Sequence, residues 1–578
     1  GIGNLFAYAS LRRQFPNERY YVDGEMAKLS KNGTFGGHHI MVPKEGMAFH
    51  INAFNFPVWG MLEKIAVNLL AGVPAVVKPA SISSYLAEVV TKDIIASNIL
   101  PQGALQLIMG SAHSALDHVT LQDVVTFTGS AHTGKKLKAH PRIIAESVPF
   151  NMEADSLNSA IMGLDAAPGT PEFDLFIKEV RKEMTVKCGQ KCTAVRRIIV
   201  PEKYMEDVQI ALGKALSQTA IGNPLNEKVR MGCLASQSQR EDVLAKLEIL
   251  KKESEMVIGG QQPEIIDGDF NKGAFISPVV FLNNQPFTNL SSHEVEAFGP
   301  VATLLPYSTT EEAVAISKLG KGSLVSSITT FDDHEAKDFV LGAASHHGRI
   351  LVLNRESAVE STGHGSPMPL LVHGGPGRAG GGEEMGGKRG VLHYMQRTAI
   401  QGTPTTLSHL TNVYQYGGKQ REANPHLFRQ YFEDLVIGDT VFTHKHTVND
   451  ADIVNFANVS GDNFYAHMDA TSLEGTIFER RVAHGYFILS KAAGLFVDPK
   501  KGPVLLNYGL EDCRFTKPVY PGMTIGVRFT VKEKVDQEKR NEEHIAKGIV
   551  KFLVDVYDET GETVALATIL TMVKKRNG

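Results

Sequence analysis

The run Asp123-Val124-Val125-Thr126-Phe127-Thr128-Gly129-Ser130 reads as a buried strand that ends in a glycine–serine turn, with a polar helix from about residue 133. On its N-terminal side, Val58, Met61, Leu62, Ile65 and Leu69 recur at helical spacing over 57–72. Pro57 stands near the first turn and Gly72 just past the end. The short apolar run 74–77 closes on Lys78-Pro79, and a second helix fits 84–98. Helices alternating with brief β-rich runs predict a parallel, doubly wound α/β sheet, and short strands such as 198–200 and 350–353 carry this style to about residue 400. The stretch 374–390 is too rich in glycine for the interior of a regular element. Residues 401–425 read as a linker. Beyond it Val527, Phe529 and Val531 alternate with polar residues. Two helices (450–459 and 485–496) precede long β-branched runs at 549–557 and 564–573, which predicts a separate α+β domain over 426–578.

At 578 residues the chain exceeds one hydrophobic core, and this length suggests about three to four lobes. A net charge of −4 gives no reason to expect nucleic acid or an anionic membrane as partner. Four cysteines do not make a disulfide framework, and their spacing lacks paired zinc ligands, so no metal is expected. A cytoplasmic location is the default. The most apolar stretch, 59–77, is interrupted by Glu63, Lys64 and Asn68, so no membrane span is expected. The N-terminus has neither Met nor a signal-peptide layout and reads as the middle of something.

Chemistry concentrates in Cys188-Gly-Gln-Lys-Cys192-Thr-Ala194. A Cys192 thiolate can attack an aldehyde carbonyl to give a thiohemiacetal able to lose hydride. Alone, such a cysteine is more often a small buried hydrophobe. Asn55, in Phe54-Asn-Phe-Pro57, offers an amide to a developing oxyanion beside the Cys192 N–H, and Glu153 a carboxylate that could activate water. Taken singly they read as a turn residue and a surface acid. Gly129-Ser130-Ala-His-Thr-Gly134 could set N–H groups against a pyrophosphate.

Asn55-Phe-Pro, Lys78-Pro, Thr128-Gly-Ser130, Glu153, Gly189-Gln-Lys-Cys-Thr193 and Glu296-Ala-Phe-Gly-Pro300, in that order, resemble the aldehyde dehydrogenase superfamily. The resemblance implies Cys192 as nucleophile, Asn55 in the oxyanion hole and Glu153 as general base. Lys78 would hold the adenosine ribose, Gly129 and Ser130 the pyrophosphate, and Glu296 with Phe298 the nicotinamide ribose region. NAD-preferring members place a glutamate where this chain has Ser81. Without that carboxylate a 2′-phosphate is not repelled, and NADP is the expected cofactor. Glu153 argues against the branch that resolves the thioester with CoA. Family members carry a longer stretch before Asn-Phe-Pro, so residues 1–400 are expected to form an N-terminally incomplete aldehyde dehydrogenase domain.

A second constellation is Ser460-Gly-Asp462-Asn-Phe-Tyr-Ala-His467, followed by Ala483-His484-Gly485 at a helix start. Asp462 and His467 could share one water as base and acid, and the Gly485 N–H could reach a thioester carbonyl. Asp462 reads equally well as a cap or turn residue. The group resembles the motif of MaoC-like enoyl-CoA hydratases, which have a hotdog fold, a long helix wrapped by an antiparallel sheet. Phe464-Tyr465-Ala466 replaces that family's Asn-Pro section, which puts straight-chain substrates in question more than the chemistry. His484 is expected to be structural.

The whole chain, including Met152–Asn158, 374–384 and Phe464–Asp469, resembles the bifunctional ring-opening enzymes of bacterial phenylacetate breakdown. That resemblance implies a CoA-thioester substrate, hydrolytic opening of oxepin-CoA by the rear domain and NADP-dependent oxidation of the released semialdehyde by the front one. It also implies a homo-oligomer, a hexamer built as a trimer of dimers. Two other readings stay open. One is a general (R)-specific enoyl-CoA hydratase fused to a broad aldehyde dehydrogenase; the other is a rear domain that only binds acyl-CoA and assembles the oligomer.

Overall fold

The computed structural model describes residues 1–16, 18–111, 114–539 and 541–576. The chain divides into two compact units, Gly1–Gln14 with Pro43–Gln396, and Phe15–Val42 with Arg397–Gly578.

The first unit holds two sheets of the expected doubly wound kind. One is five-stranded and parallel, in the order Leu105–Leu107, Ala75–Lys78, Ala48–Ile51, Val124–Thr128, Phe150–Glu153. Its chain order reverses direction between Ala48–Ile51 and Val124–Thr128, which opens a crevice outside the carboxyl ends of these strands. The other has seven strands, with Val195–Pro201 and Asn158–Met162 at its middle and Glu255–Ile258 antiparallel at one edge. Val195–Pro201 and Ser323–Thr329 are buried along their whole length, because helices cover both faces.

The Trp59–Leu70 helix ends as predicted before Gly72, whose φ of +85° suits glycine. It is not amphipathic in the expected sense: Met61 to Asn68 are all buried, Glu63, Lys64 and Asn68 included. The charges that rule out a membrane span therefore lie inside the protein. No helix among the described residues is long and apolar enough to cross a membrane.

In the second unit an antiparallel sheet runs Asp439–Phe442, Thr524–Asp536, Lys547–Tyr557, Thr563–Lys574, Val504–Phe515. It wraps the helix Gly485–Phe496, whose Phe487, Ile488, Ala492, Leu495 and Phe496 are buried. Phe496 stacks on Phe529 with ring centroids 4.2 Å apart, and Phe529 on Phe552 at 4.6 Å. This is the hotdog arrangement, with one difference from expectation: Asp439–Phe442 comes before both helices, so strands do not all follow them. Residues 401–425, read as a linker, contain the helix Pro404–Thr411, capped by the Thr403 side chain on the Thr406 N–H. The strands Tyr21–Lys28 and Gly36–Pro43 form an antiparallel pair that sequence patterning did not reveal.

Candidate active sites

Sequence brings Cys192 to the crevice through a strained approach. Lys187, Cys188 and Gly189 follow one another in the left-handed region, at φ 54°, 54° and 68°. Only glycine fits at position 189, since a Cβ there would stand 2.2 Å from the Gly299 carbonyl oxygen. Arg196 fastens this contact, donating to the carbonyls of Gly299 (2.6 Å) and Gly189 (2.8 Å). Asn158 donates to the carbonyls of Cys192 and Ala194. The cysteine loop is thus bound by backbone acceptors on both sides of the nucleophile candidate, and Cys192 itself remains partly exposed.

Asn55 lies between Ala48–Ile51 and Trp59–Leu70, and its Nδ2 donates to the Gln190 carbonyl at 3.2 Å. A carboxamide has two N–H groups, so one remains for an oxyanion. The Lys187 Nζ donates to the Asn55 carbonyl and sits over the Phe56 ring at 3.8 Å. Glu153 closes the strand Phe150–Glu153 at the crevice and is buried. One side-chain atom each of Glu153, Cys192 and His373 lie within 4.8 Å of one another. Burial and the Glu153 carboxylate push the Cys192 thiol up to about 12, with His373 pulling the other way.

Behind the thiol lies a buried ionic network. His373 Nδ1 meets Glu63 Oε2 at 3.1 Å, and its Nε2 stands 3.7 Å from Glu153 Oε1. Lys64 Nζ donates to Thr128 Oγ1 (2.6 Å) and Asn52 Oδ1 (3.0 Å) and pairs with Glu384 at 3.3 Å. Glu63 and Lys64 are 2% and 1% exposed, so each needs these partners.

The cofactor candidates fall around the same crevice. Lys78 ends its strand and Ser81 opens the following short turn, exposed. Gly129 follows Val124–Thr128, where a Cβ would run into the Phe127 ring at 2.7 Å. Ser130 caps the helix Ala131–Lys138 by accepting from the Thr133 N–H, while Asp155 takes the Ala131 N–H. Glu296 Oε1 is buried without a hydrogen-bond partner, 3.7 Å from Arg196 Nε, and burial lifts the acid to about 7. Phe298 packs edge-on against Phe54, centroids 6.0 Å apart. The residues fit a nicotinamide dinucleotide: the orphaned Glu296 oxygen lacks the partner that a ribose hydroxyl would supply, and the switch-point crevice is where such cofactors lie.

In the second unit the helix Asp450–Ser460 starts from an Asn449–Asp452 capping box and stops at Gly461, φ +76°. That stop projects Asp462 into a turn, where its Oδ1 accepts from the Phe464 N–H. His467 lies in the short helix Tyr465–Met468, and its Nδ1 donates to the Val482 carbonyl at 2.7 Å. A carbonyl only accepts, so Nδ1 carries the hydrogen and Nε2 is left with its lone pair. His484 stacks on His467 at 3.8 Å and donates from Nε2 to the Asp462 carbonyl at 2.9 Å. One side-chain atom each of Asp462, His467 and His484 come within 4.8 Å. Gly485 opens the helix Gly485–Phe496, where its N–H has no intrahelical acceptor. A Cβ there would stand 2.5 Å from the Phe515 ring.

A family model described as aldehyde dehydrogenase family matches residues 11–400. The chain belongs to that family. Behind this part, a model described as MaoC like domain matches residues 434–551, an order consistent with a PaaZ-type fusion. The 3,4-dehydroadipyl-CoA semialdehyde dehydrogenase of Aromatoleum evansii is 44% identical over 376 residues, 65% of this chain and 73% of its own. Protein MaoC of Klebsiella aerogenes is 48% identical over 313 residues, 54% of this chain and 92% of its own. Betaine aldehyde dehydrogenase of Staphylococcus aureus superposes with a TM-score of 0.59 at 22% identity, covering 69% of this chain and 76% of that one, which speaks for the fold.

Within the aldehyde dehydrogenase part, the structure gathers Asn55, Glu153 and Cys192 at one crevice mouth and adds His373, Glu63, Lys64, Glu384 and Arg196, which sequence reading missed. A signal was there for two of them: consecutive charges inside an otherwise apolar helix. Three triplets among the described residues have metal-ligating reach, Glu153/Cys192/His373, Glu63/His373/Glu384 and Asp462/His467/His484. Cys188 belongs to none of these.

Proposed function

We propose that the chain opens oxepin-CoA hydrolytically in its MaoC-like domain and oxidises the released semialdehyde to 3-oxo-5,6-dehydrosuberyl-CoA in its aldehyde dehydrogenase domain. The observation that carries this reading is the pairing of two complete reactive groups in one chain. One is a thiol with a carboxylate in a cofactor-type crevice; the other is a carboxylate with a free imidazole nitrogen beside an unsatisfied helix N–H. The name of the Aromatoleum evansii relative, a CoA-linked semialdehyde dehydrogenase, supports a CoA-thioester substrate.

Asp462 and His467 Nε2 deprotonate and orient a water for addition to the cyclic enol ether, while the Gly485 N–H holds the thioester oxygen as charge develops. The hemiacetal opens to an aldehyde. Cys192 adds to that carbonyl, with Asn55 Nδ2 and the Cys192 N–H steadying the oxyanion. A bound nicotinamide would supply the hydride acceptor. Glu153 then activates the water that hydrolyses the thioester. Ser81 and Lys78 favour NADP, since an exposed serine offers no charge against a 2′-phosphate. Fusion keeps a reactive aldehyde near its consumer.

The test is a coupled assay of the chain with synthetic oxepin-CoA, following open-chain aldehyde and NADPH separately. Both should appear, aldehyde first. Hydration of crotonyl-CoA without opening of oxepin-CoA would refute the substrate assignment.

A further inference from the structure

Among the ionisable groups at the thiol site that this scheme leaves unused, His373 lies nearest the reacting atoms. His373 enters from the glycine-dense segment and is 3% exposed. Its Nδ1 is taken by Glu63 Oε2 at 3.1 Å, and Trp59 packs edge-on against the ring with centroids 5.5 Å apart. Nε2 is buried without a hydrogen-bond partner and faces the Glu153 carboxylate and the Cys192 thiol, which with a His373 ring nitrogen lie within 4.8 Å of one another. His347 Nε2, His364 Nε2 and His484 Nδ1 are likewise buried without a partner, so what sets His373 apart is the thiol and the carboxylate beside it.

We propose that His373, oriented by Glu63, is a further catalytic residue of aldehyde oxidation: its Nε2 takes the proton of Cys192 and holds the resulting thiolate as an ion pair. The inference rests on Cys192 being the nucleophile. In this step the S–H bond breaks, an Nε2–H bond forms and the electron pair stays on sulfur; nothing is oxidised. Glu63 accepts the Nδ1–H and stabilises the imidazolium. Glu153 is then not the acceptor of that proton and stays available for the later attack by water.

The surroundings favour the charged ring. Glu63 faces it from the Trp59–Leu70 helix, Glu153 from the end of its strand, and Glu384 from the glycine-dense segment, with Lys64 on Glu384. Burial alone would lower the imidazole, but Glu153 and Glu63 outweigh it and raise His373 well above the ordinary value. His373 pulls the Cys192 thiol down against burial and the Glu153 carboxylate, so without it the thiol would be harder still to ionise.

The experiment is alkylation of the full chain by iodoacetamide from about pH 5.5 to 9.5, read at the Cys192 peptide by mass spectrometry. Wild type should show a rate already level near neutrality. His373→Gln should lose at least about tenfold at pH 7 and gain a rate that climbs with pH into the alkaline range. Glu63→Gln keeps an acceptor for Nδ1 but removes the charge, and should fall by about three- to tenfold. Superimposable profiles for wild type and His373→Gln overturn the inference. If His373→Gln does not fold, the Glu63→Gln profile decides, and no change there overturns it. If wild-type Cys192 is not alkylated while Cys233 is, the nucleophile assignment itself fails.

Discussion

The thiol site gathers Asn55, Glu153, Cys192 and His373 from four separated parts of the chain, whereas Asp462, His467, His484 and Gly485 fall within one turn-and-helix stretch. The first is backed by a buried ionic network, because its three carboxylates, Glu63, Glu153 and Glu384, cannot share a water-poor space without cations between them. The second orients its groups through main-chain carbonyls, Val482 for His467 and Asp462 for His484. Chemistry assembled at long range is tuned by other charges; chemistry assembled locally is tuned by the backbone.

Substitutions should separate the two sites. Cys192→Ala is expected to remove NADPH formation down to background while oxepin-CoA is still opened; surviving NADPH formation would remove the thiol from the scheme. Asp462→Asn should slow ring opening by about 10²- to 10⁴-fold and leave oxidation of a free aldehyde unchanged. If ring opening persists, the rear domain is an acyl-CoA holder.

How far each region was legible follows from the same contrast. The helices at Asp450–Ser460 and Gly485–Phe496 could be read because helical spacing is a local signal, and the first also carries its Asn449–Asp452 capping box. The cysteine loop could be read because its residue order is distinctive. Glu63 and Lys64 looked like interruptions, since nothing local tells a buried charge from a solvated one. His373 was masked by the glycines around it, and its partners are 310 positions away at Glu63 and 220 at Glu153. The strands Tyr21–Lys28 and Gly36–Pro43 alternate too weakly in burial for patterning to find them.

Smaller effects sharpen the electrostatic side. Glu296, lifted to about 7 by burial, binds its proton more tightly folded than unfolded. Its contribution is therefore fully present below about pH 4.5 and is lost as pH rises through 7, by at most about 3 kcal/mol. Glu296→Gln should flatten that part of the decline, measured as Tm at several pH values; an unchanged slope would show that the charge is compensated. Ser81→Glu should shift kcat/KM from NADP toward NAD by about tenfold, near 1.4 kcal/mol. No shift would place cofactor choice elsewhere.

Glu63 and Lys64 are neighbours on one helix, yet they serve different partners, His373 on one side and Thr128, Asn52 and Glu384 on the other. Each residue along a helix turns it by about 100°. One amino acid inserted upstream in this helix would swing both side chains off their targets together, so the segment tolerates exchange of letters far better than a change in their count.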